Sequence, residues 1–154
     1  LEHWQTLAVR TATDLELEDW IPSEIWNFVP SECHDGFREV VRTNCLYPKD
    51  ALLWAEILFT DQLTLDDAAT HAVQTAGESF FLAALDLHAQ SNGDYTVFLE
   101  GLKAATGAKG KSLFMPLRSA WTGRHDGPDL ATLYRLMDAD RLHRRMAEFT
   151  YASQ

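Results

Sequence analysis

The sequence has little of what marks secreted, fibrous or membrane-spanning chains. Its 154 residues include only two cysteines, eight glycines and five prolines. The cysteines form no Cys-x-x-Cys pair and have no histidine pair beside them, which argues against a disulfide framework and a zinc knuckle. The longest wholly apolar runs, such as Phe80 to Leu85, fall far short of the roughly 20 residues of a membrane-spanning helix. We therefore expect reduced thiols in a cytoplasmic chain without membrane contact.

Hydrophobic residues make up 46% of the chain and aromatic residues 11%, enough for one globular core, with room for two lobes. The net charge of −10 argues at first against nucleic acid. The charge is uneven, however. Residues 1–100 hold 4 basic and 18 acidic side chains, whereas residues 101–154 hold 9 basic and 5 acidic ones. Because charges are screened beyond about 8 Å at physiological salt, the basic last third can still attract a polyanion.

Apolar residues recur at helical spacing along the chain, starting with Leu1, Trp4, Leu7 and Ala8, and nothing favours a sheet. We expect an all-α domain of about eight to ten short helices, with a polar stretch over residues 11–19. Predicted helix starts are Pro22, Pro48, a cap at Thr64, a cap at Asp94, Pro128, and Asp138 or Asp140. Predicted helix ends are Pro30, Gly77 and Gly107.

Catalytic and metal-binding patterns are weak. The histidines occur singly, at His3, His34, His71, His88, His125 and His143. No His-x-x-x-His or Gly-x-Ser-x-Gly pattern is present. Asp66 and Asp67 follow a predicted cap, where the helix dipole favours carboxylates. The Lys109-Gly110-Lys111 segment lacks the spacing and preceding strand of a phosphate loop. We expect no catalytic residue, no metal site and no cofactor in this chain.

The informative stretch runs from Gly107 to Leu130. Proline is best tolerated near a helix start, so Pro116 predicts that Arg118 lies in the first turns of a helix, beside unpaired N–H groups. Gly127 and Pro128 predict a second helix start, with the N–H groups of Asp129 and Leu130 available to a base edge. Two such helix ends could meet at one ligand. The alternative is that the apolar residues are core and the glycines only end helices.

This stretch closely resembles the C-terminal anticodon-binding domain of bacterial glutamyl-tRNA synthetases. The family pattern Lys-Gly-x-x-Leu-Phe-Met-Pro-Leu-Arg-x-Ala-x-Thr-Gly-Arg-x-x-Gly-Pro-x-Leu stands almost unbroken at 109–130. Upstream, 37–44 and 50–54 are similar to the family's Phe-Trp-x-x-Val-Arg-x-Asn and Asp-Ala-x-x-Trp segments. The resemblance covers roughly 37–148. Three departures are Arg38 beside Phe37, Trp121 in place of a smaller aliphatic residue, and Asp129 where glutamate is frequent.

The resemblance implies a cage-like helical bundle in two lobes that grips a tRNA anticodon loop. Residues 1–47 would form an N-terminal subdomain on the side of the tRNA stem and first anticodon base, and residues 48–154 the anticodon-binding subdomain. The implied anticodon-reading residues are Arg118, Gly127, Pro128, Asp129 and Leu130, with Arg42 and Asn44 in the neighbouring subdomain. The implied phosphate contacts are Lys109, Lys111, Arg124, Arg141, Arg144 and Arg145.

The synthetase chemistry requires signatures that this sequence lacks, resembling His-x-Gly-His and Lys-Met-Ser-Lys-Ser. We therefore expect a monomeric fragment of a class I glutamate–tRNA ligase whose ATP and Mg²⁺ belong to a catalytic part elsewhere. Its expected partners are that part and a glutamate tRNA. Three alternatives stay open: a helical protein-interaction domain, a free-standing synthetase-like relative without tRNA binding, and a helix-turn-helix DNA binder that turns at residues 123–127.

Overall fold

The computed structural model describes residues 2–150, and the side chains from Trp4 onward. Leu1, the side chain of His3 and residues 151–154 lie outside the described part. Within it there are nine α-helices and no strand, which confirms the all-α prediction. The chain separates into two compact units that divide between Gln62 and Leu63. None of the helices between residues 2 and 150 is long and apolar enough to serve as a membrane-spanning segment.

The first unit contains four α-helices and two short 3₁₀ helices. The α-helices are α1 (Glu2–Arg10), α2 (Asp14–Trp20), α3 (His34–Asn44) and α4 (Pro48–Phe59), and the 3₁₀ helices are Ser23–Asn27 and Ser31–Cys33. Pro48 opens α4 as predicted, because its fixed φ suits the first helical position. Leu17, Ile21, Ile25, Phe37 and Val41 are fully enclosed in the core.

One prediction for this unit is corrected. The expected polar stretch at 11–19 contains helix α2, which begins because the Thr13 hydroxyl accepts a hydrogen bond from the Glu16 N–H at 3.2 Å. The two compact units divide after Gln62, and the expected boundary between functional subdomains after Tyr47 stays a prediction. Helix α4 belongs to the first unit because it packs on α3, with the rings of Phe37 and Phe59 5.9 Å apart.

The second unit contains five α-helices: α5 (Asp67–Ser91), α6 (Tyr95–Thr106), α7 (Lys111–Thr122), α8 (Leu130–Leu136) and α9 (Ala139–Ala147). A 3₁₀ turn at Glu148–Thr150 follows. Helix α5 is interrupted at Gly77, whose φ of 80° and ψ of 173° are not helical, so the predicted stop there is a break within one element. The caps at Asp94 and Asp138 and the end at Gly107 are confirmed.

The start of α5 differs from the prediction. Asp66, and not Thr64, is the capping residue: its carboxylate accepts the Ala69 N–H at 2.7 Å. Helices α6, α7 and α8 share a core of aromatic rings, in which Phe98, Trp121 and Tyr134 lie within 6.0 Å of one another. This core fixes the direction of α7, which carries the basic motif of the sequence.

Candidate nucleic-acid interface

Arg118 lies farther along its helix than the sequence predicted. Helix α7 begins at Lys111, so Pro116 is its sixth residue and Arg118 its eighth. The missing N–H of Pro116 leaves the carbonyl of Ser112 without its helical partner, while the proline ring is buried. The prediction that Arg118 stands in the first turns is therefore wrong. What Arg118 contributes is its guanidinium group and not a helix end.

The two halves of the motif nevertheless meet. The Nη1 of Arg118 donates a hydrogen bond of 2.5 Å to the carbonyl oxygen of Pro128. The side chain is half-buried, and this burial lowers the pKa of Arg118, although the carboxylates of Asp126 and Asp129 act in the opposite direction. Arginine stays charged in proteins, so the site presents a partly desolvated cation held against the turn.

The turn before α8 is built around Gly127 and Pro128. Gly127 has a φ of 139°, a value that favours glycine, and Pro128 is buried. Helix α8 begins at Leu130 and not at Pro128, because the Asp129 carboxylate caps it by accepting the Thr132 N–H at 2.7 Å. Hydrogen bonds from Thr132, first from its side chain and then from its backbone N–H, lower the pKa of Asp129. Leu130 is left as the first helical residue, where an N–H has no partner within the helix.

The other end of the turn is docked on the start of α5. The Asp66 N–H donates to the carbonyl of Gly123 at 2.8 Å, and the His125 N–H donates to an Asp66 carboxylate oxygen at 3.3 Å. The Nδ1 of His125 lies 2.8 Å from the same oxygen. One carboxylate therefore holds both the start of α5 and the turn at residues 123–125. This role of Asp66 and His125 was not predicted, because the two residues are 59 positions apart and no local sequence signal links them.

The pair makes stability depend on pH. The bond to Asp66 raises the pKa of His125. Burial alone would raise the pKa of Asp66, but hydrogen bonds from Ala69 and His125 outweigh it and lower that pKa. The histidine contribution is complete below its ordinary pKa of 6.5 and is lost as the pH rises through the raised value. The aspartate contribution is present above 3.8 and is lost in acid.

We therefore expect His125→Asn to lower the melting temperature more at about pH 5.5 than at about pH 8.5. Thermal unfolding of both proteins at the two pH values, followed by circular dichroism, measures this difference. His71→Asn, at an exposed histidine elsewhere on α5, is the control and should show a smaller pH dependence. An equal effect of His125→Asn at both pH values would contradict the role of the pair.

The two predicted residues of the first unit are engaged within that unit. Arg42 donates from Nε to the carbonyl of Ala12 at 2.9 Å and pairs with Asp14 and Glu39. These contacts, with the Asp14 hydrogen bond first, raise the pKa of Arg42. The Nδ2 of Asn44 donates to the Val40 carbonyl at 3.0 Å. Both side chains therefore stabilise the fold of the unit, and a base contact by Arg42 would require giving up internal partners.

Five of the six predicted phosphate contacts are at least partly open to solvent. Lys109, Lys111 and Arg144 are exposed, while Arg124 and Arg141 are half-buried. Arg145 is the correction: it is 5% exposed and donates from Nη1 to the Trp121 carbonyl at 2.7 Å. It completes the C-terminal end of α7 from inside the unit, so it is not available to a phosphate.

Arg124 has a distinctive environment. Its Nε atom is buried and has no hydrogen-bond partner within the described residues. The residue follows Gly123 in the turn that also carries Pro128.

Metal binding and thiol chemistry have little support among the described residues. No group of three or more histidine, cysteine, aspartate or glutamate side chains is placed there to hold a metal ion. Cys33 and Cys45 are both buried, and neither is in a disulfide. Burial raises the pKa of Cys45 to about 12, so this thiol stays protonated and unreactive at neutral pH.

Comparison with known proteins identifies the class to which this fold and motif belong. The family model described as an anticodon binding domain matches residues 32–150, and the chain belongs to that family. It is 53% identical over its whole length to glutamate–tRNA ligase 1 of Methylococcus capsulatus, covering 33% of that protein. It is 41% identical over 146 residues to glutamate–tRNA ligase 2 of Nitrosococcus oceani, covering 95% of this chain and 31% of that protein.

The chain thus spans about a third of the length of the curated relatives it matches, and corresponds to their C-terminal part. It is an anticodon-binding domain homologous to glutamate–tRNA ligases. The family predicted from the 109–130 motif is confirmed.

Proposed function

We propose that this chain reads the anticodon of a glutamate tRNA and so gives specificity to glutamylation by a longer ligase. The observation that carries the proposal is the bond between Arg118 and Pro128, which joins both parts of the motif in one half-open site. Arginine has several further N–H donors that can bond a base edge or a phosphate. Single-stranded loops are read in this way, with bases splayed out and bonded individually.

Each part of the site has a proposed role. Arg118 and the 127–130 turn contact anticodon bases, and the exposed or half-buried cations contact phosphates without reading sequence. These phosphate contacts are Lys109, Lys111, Arg124, Arg141 and Arg144. Arg42 and Asn44 act indirectly, by fixing the first unit, which we propose lies towards the tRNA stem and first anticodon base.

The proposal assigns no reaction and no cofactor to this chain. In this proposal, another part of a monomeric, cytoplasmic ligase binds ATP and Mg²⁺ and carries out adenylate formation and transfer. These assignments stay predictions. Competition by duplex DNA as strong as that by tRNA would favour the alternative helix-turn-helix function.

We expect Arg118→Ala to weaken binding to a glutamate tRNA by about 1–3 kcal/mol and to reduce discrimination against a tRNA with an exchanged anticodon. The substitution removes a base contact, and it also removes the hydrogen bond to Pro128 that supports the turn. Fluorescence anisotropy with the two tRNAs, in parallel at fixed salt, measures both quantities.

Lys109→Ala is the matched control for this measurement. Loss of an exposed phosphate contact should weaken both tRNAs about equally and reduce the salt slope by roughly one. Unchanged affinity and selectivity of Arg118→Ala would remove this residue from the site.

A further inference from the structure

A groove runs along the second unit between the first half of α5 and the first half of α7. It has a volume of about 520 Å³ and a mainly apolar lining. Ala68, Ala72 and Ala76 follow one another at intervals of four residues on the α5 side, so small side chains leave room along one face of that helix. Met115 and Pro116 lie opposite on α7, and Lys111 brings a positive charge to the lining.

The groove adjoins the Arg118 site along α7. Lys111, Met115 and Arg118 are four and three residues apart, so they share one face of the helix over roughly 10 Å. Burial agrees with this arrangement: Lys111 is exposed and the other two are half-buried, whereas Leu113 and Leu117 on the opposite face are buried. A strand of RNA at Arg118 that continues along this face therefore meets the groove.

The chemistry of the groove matches a nucleotide. Apolar walls accept the face of any base, since every base has an extended π surface. Lys111 supplies a cation for the adjoining phosphate, and the start of α7 adds backbone N–H groups, because Gly110 provides no side-chain cap there. A purely apolar peptide would match the walls and leave the cation unused.

We propose that this groove holds one unstacked nucleotide of the anticodon loop, next to the nucleotide at Arg118. The base lies between α5 and α7, and its phosphate contacts Lys111. This rests on the proposed function and extends it to α5, which the 109–130 motif does not include. Lys111 then belongs to the pocket of one particular nucleotide and is not only a general phosphate contact.

The methionines offer a direct test. The chain has three, of which Met115 lines the groove, while Met137 and Met146 are buried in the core. With methyl-¹³C-methionine, each gives one NMR signal. On titration with the anticodon stem-loop of a glutamate tRNA, the signal of Met115 should shift by several times more than the other two, because a base ring lies against its methyl group. A Met115 signal that stays in place while the RNA binds would overturn the proposal.

A variant that fills the groove gives the second test. Ala72→Leu puts a good helix former at a half-buried groove position and should weaken binding of the stem-loop about ten-fold. Ala104→Leu, at an exposed position of α6 away from the groove, is the control and should bind like the parent. The Met137 and Met146 signals report whether the core is intact. If they move in Ala72→Leu, Ala68→Leu at an exposed groove position replaces it. Normal binding by the groove variant would refute the pocket.

The outcomes separate the two proposals. A parent chain that binds no tRNA refutes the proposed function and the groove together. The groove alone is refuted if Arg118→Ala loses anticodon discrimination while the Met115 signal does not respond to RNA and Ala72→Leu binds normally. A Met115 signal that shifts with protein concentration in the absence of RNA assigns the groove to a second copy of the chain, which also overturns the proposal.

Discussion

Gly123→Ala should destabilise the protein by about 3 kcal/mol or more. Gly123 has a φ of 73°, which disfavours any side chain, and an added Cβ would lie 2.3 Å from the carbonyl oxygen of Thr64. That oxygen belongs to the backbone and cannot turn away as a side chain could. Relief would require separating the two segments and losing the Asp66 to Gly123 hydrogen bond. Urea unfolding monitored by tryptophan fluorescence measures the loss.

Gly93→Ala is the control for this effect. Gly93 has a comparable φ of 82°, but a Cβ there would meet no atom within 4 Å. Its expected loss is limited to the backbone term of about 1–2 kcal/mol. Equal losses in the two variants would show that the close approach to Thr64 does not constrain the turn.

Trp121→Ala is expected to reduce the free energy of unfolding by about 3–5 kcal/mol. The indole is fully buried, and its ring centre lies 6.0 Å from those of Phe98 and Tyr134. Removing it leaves a cavity that three helices would have to close. Urea unfolding measures the change. The slope of the free energy of unfolding against urea concentration shows whether the variant exposes as much surface on unfolding as the parent does.

Trp121→Phe separates packing from the polar group of the indole. The Nε1 of Trp121 is buried without a hydrogen-bond partner among the described residues, and phenylalanine removes it while retaining an aromatic ring. The expected loss is therefore clearly smaller than for alanine. A loss as large as that of Trp121→Ala would contradict the importance of the ring contacts.

The sequence predicted the helical class and the helix starts at Pro48, Asp94 and Asp138, because proline fixes its own φ and an aspartate side chain accepts N–H groups of the first turn. Helix α2 was missed for an equally physical reason. Only Leu17 of this helix is buried, while Leu15 is 81% exposed, so no apolar face marks it. The capping pair Thr13 and Glu16 was the available signal.

For Arg145, the helical spacing of the neighbouring apolar residues predicts burial, whereas the motif comparison predicted an exposed phosphate contact. It lies three residues after Leu142 and one before Met146, and both of these are buried. On a helix these positions share a face, so Arg145 was on the buried side of α9. Arg144 lies on the opposite face and is exposed. A count of basic residues does not distinguish the two, because only the helical position tells which cation is left in water.

Only part of the candidate site could be predicted from the sequence. The motif predicted that two helix starts could meet at one ligand. What meets instead is the Arg118 guanidinium and the Pro128 carbonyl, because Pro116 lies inside α7 and Arg118 is far from its start. The docking of residues 123–125 on Asp66 depends on contacts between distant segments. No local rule of composition or capping specifies such contacts.

The double use of the Asp66 carboxylate has a dynamic consequence. Because it accepts the N–H groups of both Ala69 and His125, fraying of the first turn of α5 also releases the loop after α7. We expect the two amide hydrogens to exchange with solvent as a single cooperative unit. While the unit is closed, the loop is ordered before any ligand binds, so its conformational entropy has already been lost during folding and does not oppose binding.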